Sequence, residues 1–259
     1  MKNPAIIIFT DLDGTLLDHH DYSWSAALPA LSWLRAKNIP VVLASSKTAA
    51  EIAPLRTQMR LQSCPAIVEN GAGILPSNTE ADDTGDQYTR LRAALDALPP
   101  ALRQRFRGFG DLSNSQVADI TGLPPASAKL ARNRAFSEPG LFDGDSDSLN
   151  AFVTALKEQQ VHARRGGRFL TLSFGGTKAD RMDEIAARYG VPKMIALGDA
   201  PNDVEMLEKA DHGFIIANPS GTNLPVLAGE RSGRITRSEK PGPSGWNQCI
   251  LGLGSDLLR

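Results

Sequence analysis

The chain has 259 residues, 41% hydrophobic and 22% charged, which is the make-up of a folded globular protein with a sizeable core. Its 28 basic and 29 acidic residues leave a net charge of −1, so nothing in the balance calls for a nucleic-acid or anionic-membrane partner. Cys64 and Cys249 lack CxxC spacing, the apolar start is cut off by Asp11, and no stretch is long enough to span a bilayer. A soluble, cytoplasmic protein is the expectation, with length admitting one large α/β domain or two smaller ones.

The apolar run Ala5–Phe9 reads as a strand buried on both faces, and Trp24, Leu28, Leu31 and Leu34 then recur at helical spacing. Pro40–Ala44 is a second strand. Thr48 with Glu51 fits a capping box opening the next helix, which Pro54 should kink or shift. Ala66–Val68 and Gly73–Leu75 form a third apolar stretch, broken by Glu69-Asn70-Gly71. Strand alternating with helix argues for a parallel sheet with helices on its faces. The polar segment Pro76–Asp86 then reads as a linker. Helix-like pieces follow (Leu91, Leu95 and Leu98; Leu149, Phe152, Val153 and Leu156), with two short strands around Val161 and Phe169–Phe174. From Lys178 the α/β rhythm returns, through a helix to Tyr189, strand Met194–Leu197, a helix after Pro201 and strand Gly213–Ala217. The expected architecture is an α/β doubly wound parallel core, residues 1–76 and 175–259, interrupted by a different module at 77–174.

Asp11 and Asp13 sit where the first strand meets solvent, two apart, so both carboxylates can face one small volume. Like charges that close repel unless a cation or shared proton relieves them, which asks for a metal. Ser45 ends the second strand, Lys178 opens a helix, and Asp199 ends a later strand within GDAPND, with Asp203 four residues on. Ligands of open parallel sheets bind at the carboxyl ends of strands, where three of these sites lie. The set suits phosphoryl transfer. Asp11 is the natural nucleophile and Asp13 the acid and base; Asp11, Asp199 and a contact from Asp13, its backbone carbonyl, would hold Mg2+. Lys178 and Ser45 would balance and hold the phosphoryl oxygens, and Asp203 would orient Lys178 or a metal-bound water. A lysine at a helix start is disfavoured by the helix dipole, so Lys178 wants a reason for its place.

Together these motifs resemble the four of the haloacid dehalogenase superfamily, and Asp13 resembles its phosphatase branch. Ser45-Ser46-Lys47-Thr48, Glu69-Asn70-Gly71-Ala72, Gly166-Gly167-Arg168-Phe169 and Gly245-Trp246-Asn247 are similar to the mannosyl-3-phosphoglycerate phosphatase family along the whole length. That resemblance implies a Rossmann-like core with an inserted α+β cap. The implied substrate is small and anionic, 2-O-mannosyl-3-phosphoglycerate, with glucosyl-3-phosphoglycerate or another sugar phosphate as alternatives. Lys47, Asn70 and Arg168 are its candidate binding residues, Arg168 and Lys47 for the glycerate carboxylate. Thr177 stands where that family carries an acidic residue.

Several simpler readings compete. Asp143, Asp145 and Asp147 resemble a calcium loop but lack its Gly and final Glu, so they read as acids leading into a helix. The four histidines show no metal spacing, and Gly175-Gly176-Thr177-Lys178 lacks P-loop glycine spacing. Trp24 and Trp33 read as helix packing, with Trp246 undecided between packing and a sugar platform. The basic clusters Arg103–Arg107 and Arg164, Arg165 and Arg168 read as solvated faces. The short span from Asp13 to Ser45 leaves no room for the helical cap of a mutase. A non-catalytic binding protein of the same fold is the reading from a different class.

Overall fold

The computed structural model describes residues 4–80, 86–166, 168–221 and 223–253. The expected linker Pro76–Asp86 and the Gly166–Phe169 stretch therefore fall partly, at 81–85 and 167, outside the described residues.

Two sheets organise the chain. The larger contains β1 (Ile6–Thr10), β2 (Val41–Ala44), β3 (Ala66–Val68), β4 (Gly73–Leu75), β9 (Lys193–Gly198), β10 (His212–Ala217) and β11 (Ile235–Pro241), in the order β11-β10-β9-β1-β2-β3-β4. Every pairing is parallel except β3 with β4. Glu69–Gly71 is too short for a crossover helix, so β4 has to return antiparallel.

Alternation along the strands divides the core. Ile6, Ile8, Val41 and Leu43 pack on one face with Leu31, Leu34 and Trp246; Ile7, Phe9, Val42 and Ala44 pack on the other with Met182, Ile185 and Met206. Strand β1 is buried on both faces, as its unbroken apolar run predicts. Helix Ala49–Gln58 runs through Pro54 with its start unshifted, because the Thr48–Glu51 capping box fixes that start. Trp24 precedes its helix, which spans Leu28–Ala36.

The second sheet is antiparallel, in the order β5-β6-β8-β7, from β5 (Phe106–Gly108), β6 (Ser137–Phe142), β7 (His162–Gly166) and β8 (Phe169–Ser173). Helices Asp86–Asp96 and Ser146–Glu158 cover it through Leu91, Leu95, Phe152 and Leu156. The sequence suggests two strands in this module, whereas the described residues form four.

Candidate active site

The carboxyl ends of β1, β2, β9 and β10 deliver Asp11, Ser45, Asp199 and Asn218 to one edge of the large sheet, and helix Lys178–Arg188 points its first residue at them. Asp11, Asp199 and Asp203 each place a carboxylate oxygen within 4.8 Å of the others. The Lys178 ammonium bridges this acidic cluster, 2.6 Å from Asp11 Oδ1 and 2.7 Å from Asp203 Oδ1. Asp203 lies on the turn Pro201–Asp203, and its Oδ2 accepts the amide N–H groups of Asp199 and Ala200. The unfavourable dipole at Lys178 is thus outweighed by two buried carboxylates.

Electrostatics follow from burial. It pushes the Asp11 carboxyl well above the usual carboxylate range; the charges of Asp203 and Asp199 push further, and Lys178 only partly offsets them. Asp199 is raised as well, chiefly by burial, with bonds from Thr15 and Asn218 opposing the shift. Burial alone would lower the Lys178 pKa, but Asp11 and Asp203 outweigh it and hold the ammonium charged. Three acids share one lysine, a cluster of hard oxygen donors, which is the donor chemistry that Mg2+ selects. Asp13 Oδ1 is buried without a hydrogen-bond partner, a further oxygen suited to a cation or a proton.

The Gly-Thr after Asp13 has a structural reason. Gly14 holds φ +81°, and a Cβ there would strike the Asn218 amide and lie 2.9 Å from Asp199 Oδ2. Thr15 Oγ1 donates to Asp199 Oδ1 at 2.5 Å, and Asn218 Nδ2 donates to Oδ2 at 2.7 Å. Gly71 is equally constrained, at φ +94° with the Thr177–Lys178 backbone where a Cβ would go. Thr177 caps the Lys178 helix by accepting from the Asp180 amide.

Ser45 is buried, and its Oγ accepts the Lys47 amide at 3.2 Å. Lys47 Nζ lies 2.8 Å from Asp13 Oδ2. Burial alone would lower the Lys47 pKa, but Asp13 raises it on balance. Asn70, at φ +58°, accepts from Asn202 Nδ2 at 3.0 Å. Lys178 is therefore brought into direct contact with Asp11 and Asp203, Asp199 lies beside them, and Asp13 pairs with Lys47. Arg168 is not among them: it is exposed and donates to the Thr121 carbonyl of its own module at 3.4 Å. The side-chain cluster contains Asp203 rather than Asp13, whose Oδ2 faces Lys47.

Sequence reading missed Thr15, Asn202 and Asn218. Asn218 carries one usable signal, its place just after a strand. Trp246 is fully buried and donates to Thr10 Oγ1 at 2.9 Å, which makes it packing and not a sugar platform. Asp145 caps helix Ser146–Glu158, as expected of acids leading into a helix. Arg103 is paired with Asp96 and Asp111, and Arg164 with Glu205.

Comparison with known proteins agrees with this geometry. Residues 8–93 and 141–222 match the haloacid dehalogenase-like hydrolase family. A glucosyl-3-phosphoglycerate/mannosyl-3-phosphoglycerate phosphatase of Persephonella marina is 32% identical over 98% of this chain and 99% of its own. Its namesake in Methanococcoides burtonii is 33% identical over 95% and 96%. Among solved structures, a haloalkanoate-superfamily phosphatase of Bacteroides thetaiotaomicron superposes with a TM-score of 0.67 at 17% identity, covering 96% of this chain and 95% of that one. The sucrose-phosphatase of Synechocystis, solved with sucrose and phosphate, gives 0.61 at 15% identity, covering 97% and 98%. These two structures speak for the fold alone. With its fold, its acidic strand-end cluster and full-length relatives in agreement, the chain belongs to the haloacid dehalogenase-like hydrolases.

Proposed function

We propose that the protein hydrolyses 2-O-mannosyl-3-phosphoglycerate to mannosylglycerate and inorganic phosphate through an aspartyl-phosphate on Asp11, with Mg2+ as cofactor. One observation carries the chemistry: Asp11 lies at a strand end against Lys178, with Asp199 and Asp203 beside it, in a cluster of oxygen donors. The chain is a phosphoric monoester hydrolase, and the names of its full-length relatives supply the substrate class.

In this reading a carboxylate oxygen of Asp11 attacks phosphorus as the bond to the glycerate oxygen breaks, and Asp13 gives that oxygen its proton. Asp13 then takes a proton from water, which attacks the phosphorus of the aspartyl-phosphate, releasing phosphate and restoring Asp11. Lys178 balances charge on the transferring group, and Asp203 holds Lys178 in place. Asp11, Asp199 and the Asp13 backbone carbonyl would hold the metal, with Thr15 and Asn218 fixing Asp199. Bound there, Mg2+ supplies Lewis acidity that draws charge from the phosphoryl oxygens. Ser45 would hold a phosphoryl oxygen. Lys47, once released from Asp13, and Asn70 would meet the substrate, with Arg168 on the cap formed by residues 77–174. The free cysteines fit a cytoplasmic setting.

Glucosyl-3-phosphoglycerate is the second reading, since the same relatives carry both sugars in their names. Phosphate release from the mannosyl compound, its glucosyl analogue, 3-phosphoglycerate and p-nitrophenyl phosphate, with and without Mg2+, tests the assignment. A preference of about a hundredfold in kcat/KM for the mannosyl compound supports it. Equal turnover of both sugars assigns a dual substrate, and turnover of p-nitrophenyl phosphate alone removes the sugar assignment.

A further inference from the structure

Glu69 is fully buried at the side chain and holds φ +53°, a left-handed conformation that a non-glycine residue adopts only when its surroundings impose it. Its carboxylate leaves the large sheet altogether. Oε1 accepts the Ala135 amide at 2.8 Å; Oε2 accepts the Phe136 amide at 3.2 Å and Ser137 Oγ at 2.7 Å, with Arg134 Nε 3.2 Å away. All four partners belong to the inserted module, just before or at the start of β6. Neither chain connection between core and module runs through them.

The backbone of the same turn faces the opposite way. The Glu69 amide donates to the Lys47 carbonyl and the Asn70 amide to the Ser45 carbonyl, each at 2.9 Å. Around this point the module presses on the same loop. Thr48 Oγ1 donates to the Leu130 carbonyl at 2.9 Å, Arg134 Nη1 reaches the Ser46 carbonyl at 3.4 Å, and Phe136 packs on the large-sheet core.

We infer that Glu69 is a positioning residue for the sugar end of the substrate, holding module segment Leu130–Ser137 against the Ser45–Thr48 loop so that the module closes one wall of the site. The inference rests on the phosphatase reading above. Its logic is a division of labour within one residue. Backbone bonds from Glu69 and Asn70 fix the phosphate side and survive any side-chain change; the carboxylate fixes only the module. Loosening the carboxylate should therefore spare a small phosphate ester and penalise a substrate that has to reach the module. Arg134 depends on Glu69 too, since removal of the carboxylate leaves a buried guanidinium without its counter-ion.

The test compares Glu69→Gln, Glu69→Asp and Ser137→Ala with the unaltered protein, measuring kcat and KM for mannosyl-3-phosphoglycerate and for p-nitrophenyl phosphate, with folding followed by circular dichroism. The expected result for Glu69→Gln is a KM for the mannosyl compound raised about tenfold, with kcat for p-nitrophenyl phosphate within about threefold of the original. Glu69→Asp, which keeps the charge, recovers part of that loss. Ser137→Ala, which deletes one of the three hydrogen bonds to the carboxylate, shifts KM in the same direction by less and serves if Glu69→Gln does not fold. Loss of both activities in proportion to loss of folded protein overturns the inference and leaves Glu69 a structural residue. If the unaltered protein turns over neither compound, the phosphatase reading fails and the inference falls with it. Turnover by the unaltered protein with a uniform loss in the variants overturns the inference alone.

Discussion

Thr15 Oγ1 donates to Asp199 Oδ1 at 2.5 Å across 184 positions of sequence, so the residue that follows the first acidic motif orients the acid of the last. Asn218 clamps the second oxygen of the same carboxylate. Partners of this kind set the direction of a ligand's lone pairs and hence its affinity for metal. Thr15→Ala or Asn218→Ala should therefore raise the Mg2+ concentration for half-maximal activity about tenfold or more. Activity titrated against Mg2+ checks this, and an unchanged midpoint would remove Asp199 from the metal site.

Among the described residues, Lys178 is the one cation in contact with the buried Asp11 and Asp203 carboxylates. Breaking a buried pair from one side strands the other charge, at a cost of about 3–5 kcal/mol. Lys178→Met should lose roughly that much stability in urea without metal, and lower kcat at saturating Mg2+ by about a hundredfold or more. Loss of activity without loss of metal-free stability would mean the cluster relaxes by taking up protons.

The pH dependence has a definite sign. Asp11 and Asp199 have raised carboxyl pKa values in the folded protein, so between the ordinary carboxylate range and those raised values the native state binds more protons than the unfolded one. Stability in this window falls as pH rises, since the native state has to give up protons it holds more tightly. Without metal, Asp11→Asn should melt higher than the unaltered protein at about pH 8, with the gap closing toward about pH 5. Mg2+ should reverse the order at the higher pH, because it binds the ionised form. Thermal melts at both pH values, with Mg2+ and with a chelator, read out all four cases.

Trp246 donates to Thr10 Oγ1, which in turn donates to the Asp11 carbonyl at 2.8 Å. The indole supports the Asp11 backbone from behind and lies away from solvent. Trp246→Phe should cost about 1–3 kcal/mol of stability through a cavity and the lost hydrogen bond to the Thr10 hydroxyl, with KM for the sugar substrate unchanged. A KM raised severalfold with stability intact would restore the sugar-platform reading.

Asp11, Asp13, Ser45, Lys178, Asp199 and Asp203 stood out in the sequence because each is a polar or charged residue at or near a strand or helix end, where motif and period coincide; the structure brings Asp11, Lys178, Asp199 and Asp203 together. Thr15, Asn218 and Glu69 were not, since an isolated polar residue acquires a role only when topology supplies its partner. The Glu69 carboxylate meets Ser137 across 68 positions, which no local pattern records. The missed strands have local causes as well. β6 reads SEPGLF, with Pro139 and Gly140 inside it, a composition that argues against a strand until β5 and β8 flank it. β11 reads ITRSEKP, mostly exposed at the sheet edge and almost without apolar residues. Helix Gly242–Leu251 opens with Gly-Pro and so resembles a turn, although Pro243 sits in its first turn where proline is tolerated. Arg168 lies exposed on its own module and apart from the acidic cluster, so its part in the substrate reading rests on the family resemblance and on the fit of an Arg fork to a carboxylate.

The central claim is that Asp11 takes the phosphoryl group. The most direct measurement is the mass of acid-quenched protein milliseconds after mixing with excess mannosyl-3-phosphoglycerate and Mg2+, followed by peptide mapping. A phosphate adduct on the peptide carrying Asp11, formed before product accumulates and absent from an Asp11→Asn variant that releases no phosphate, is the predicted result. Steady phosphate release with no adduct, undiminished in Asp11→Asn, would contradict it.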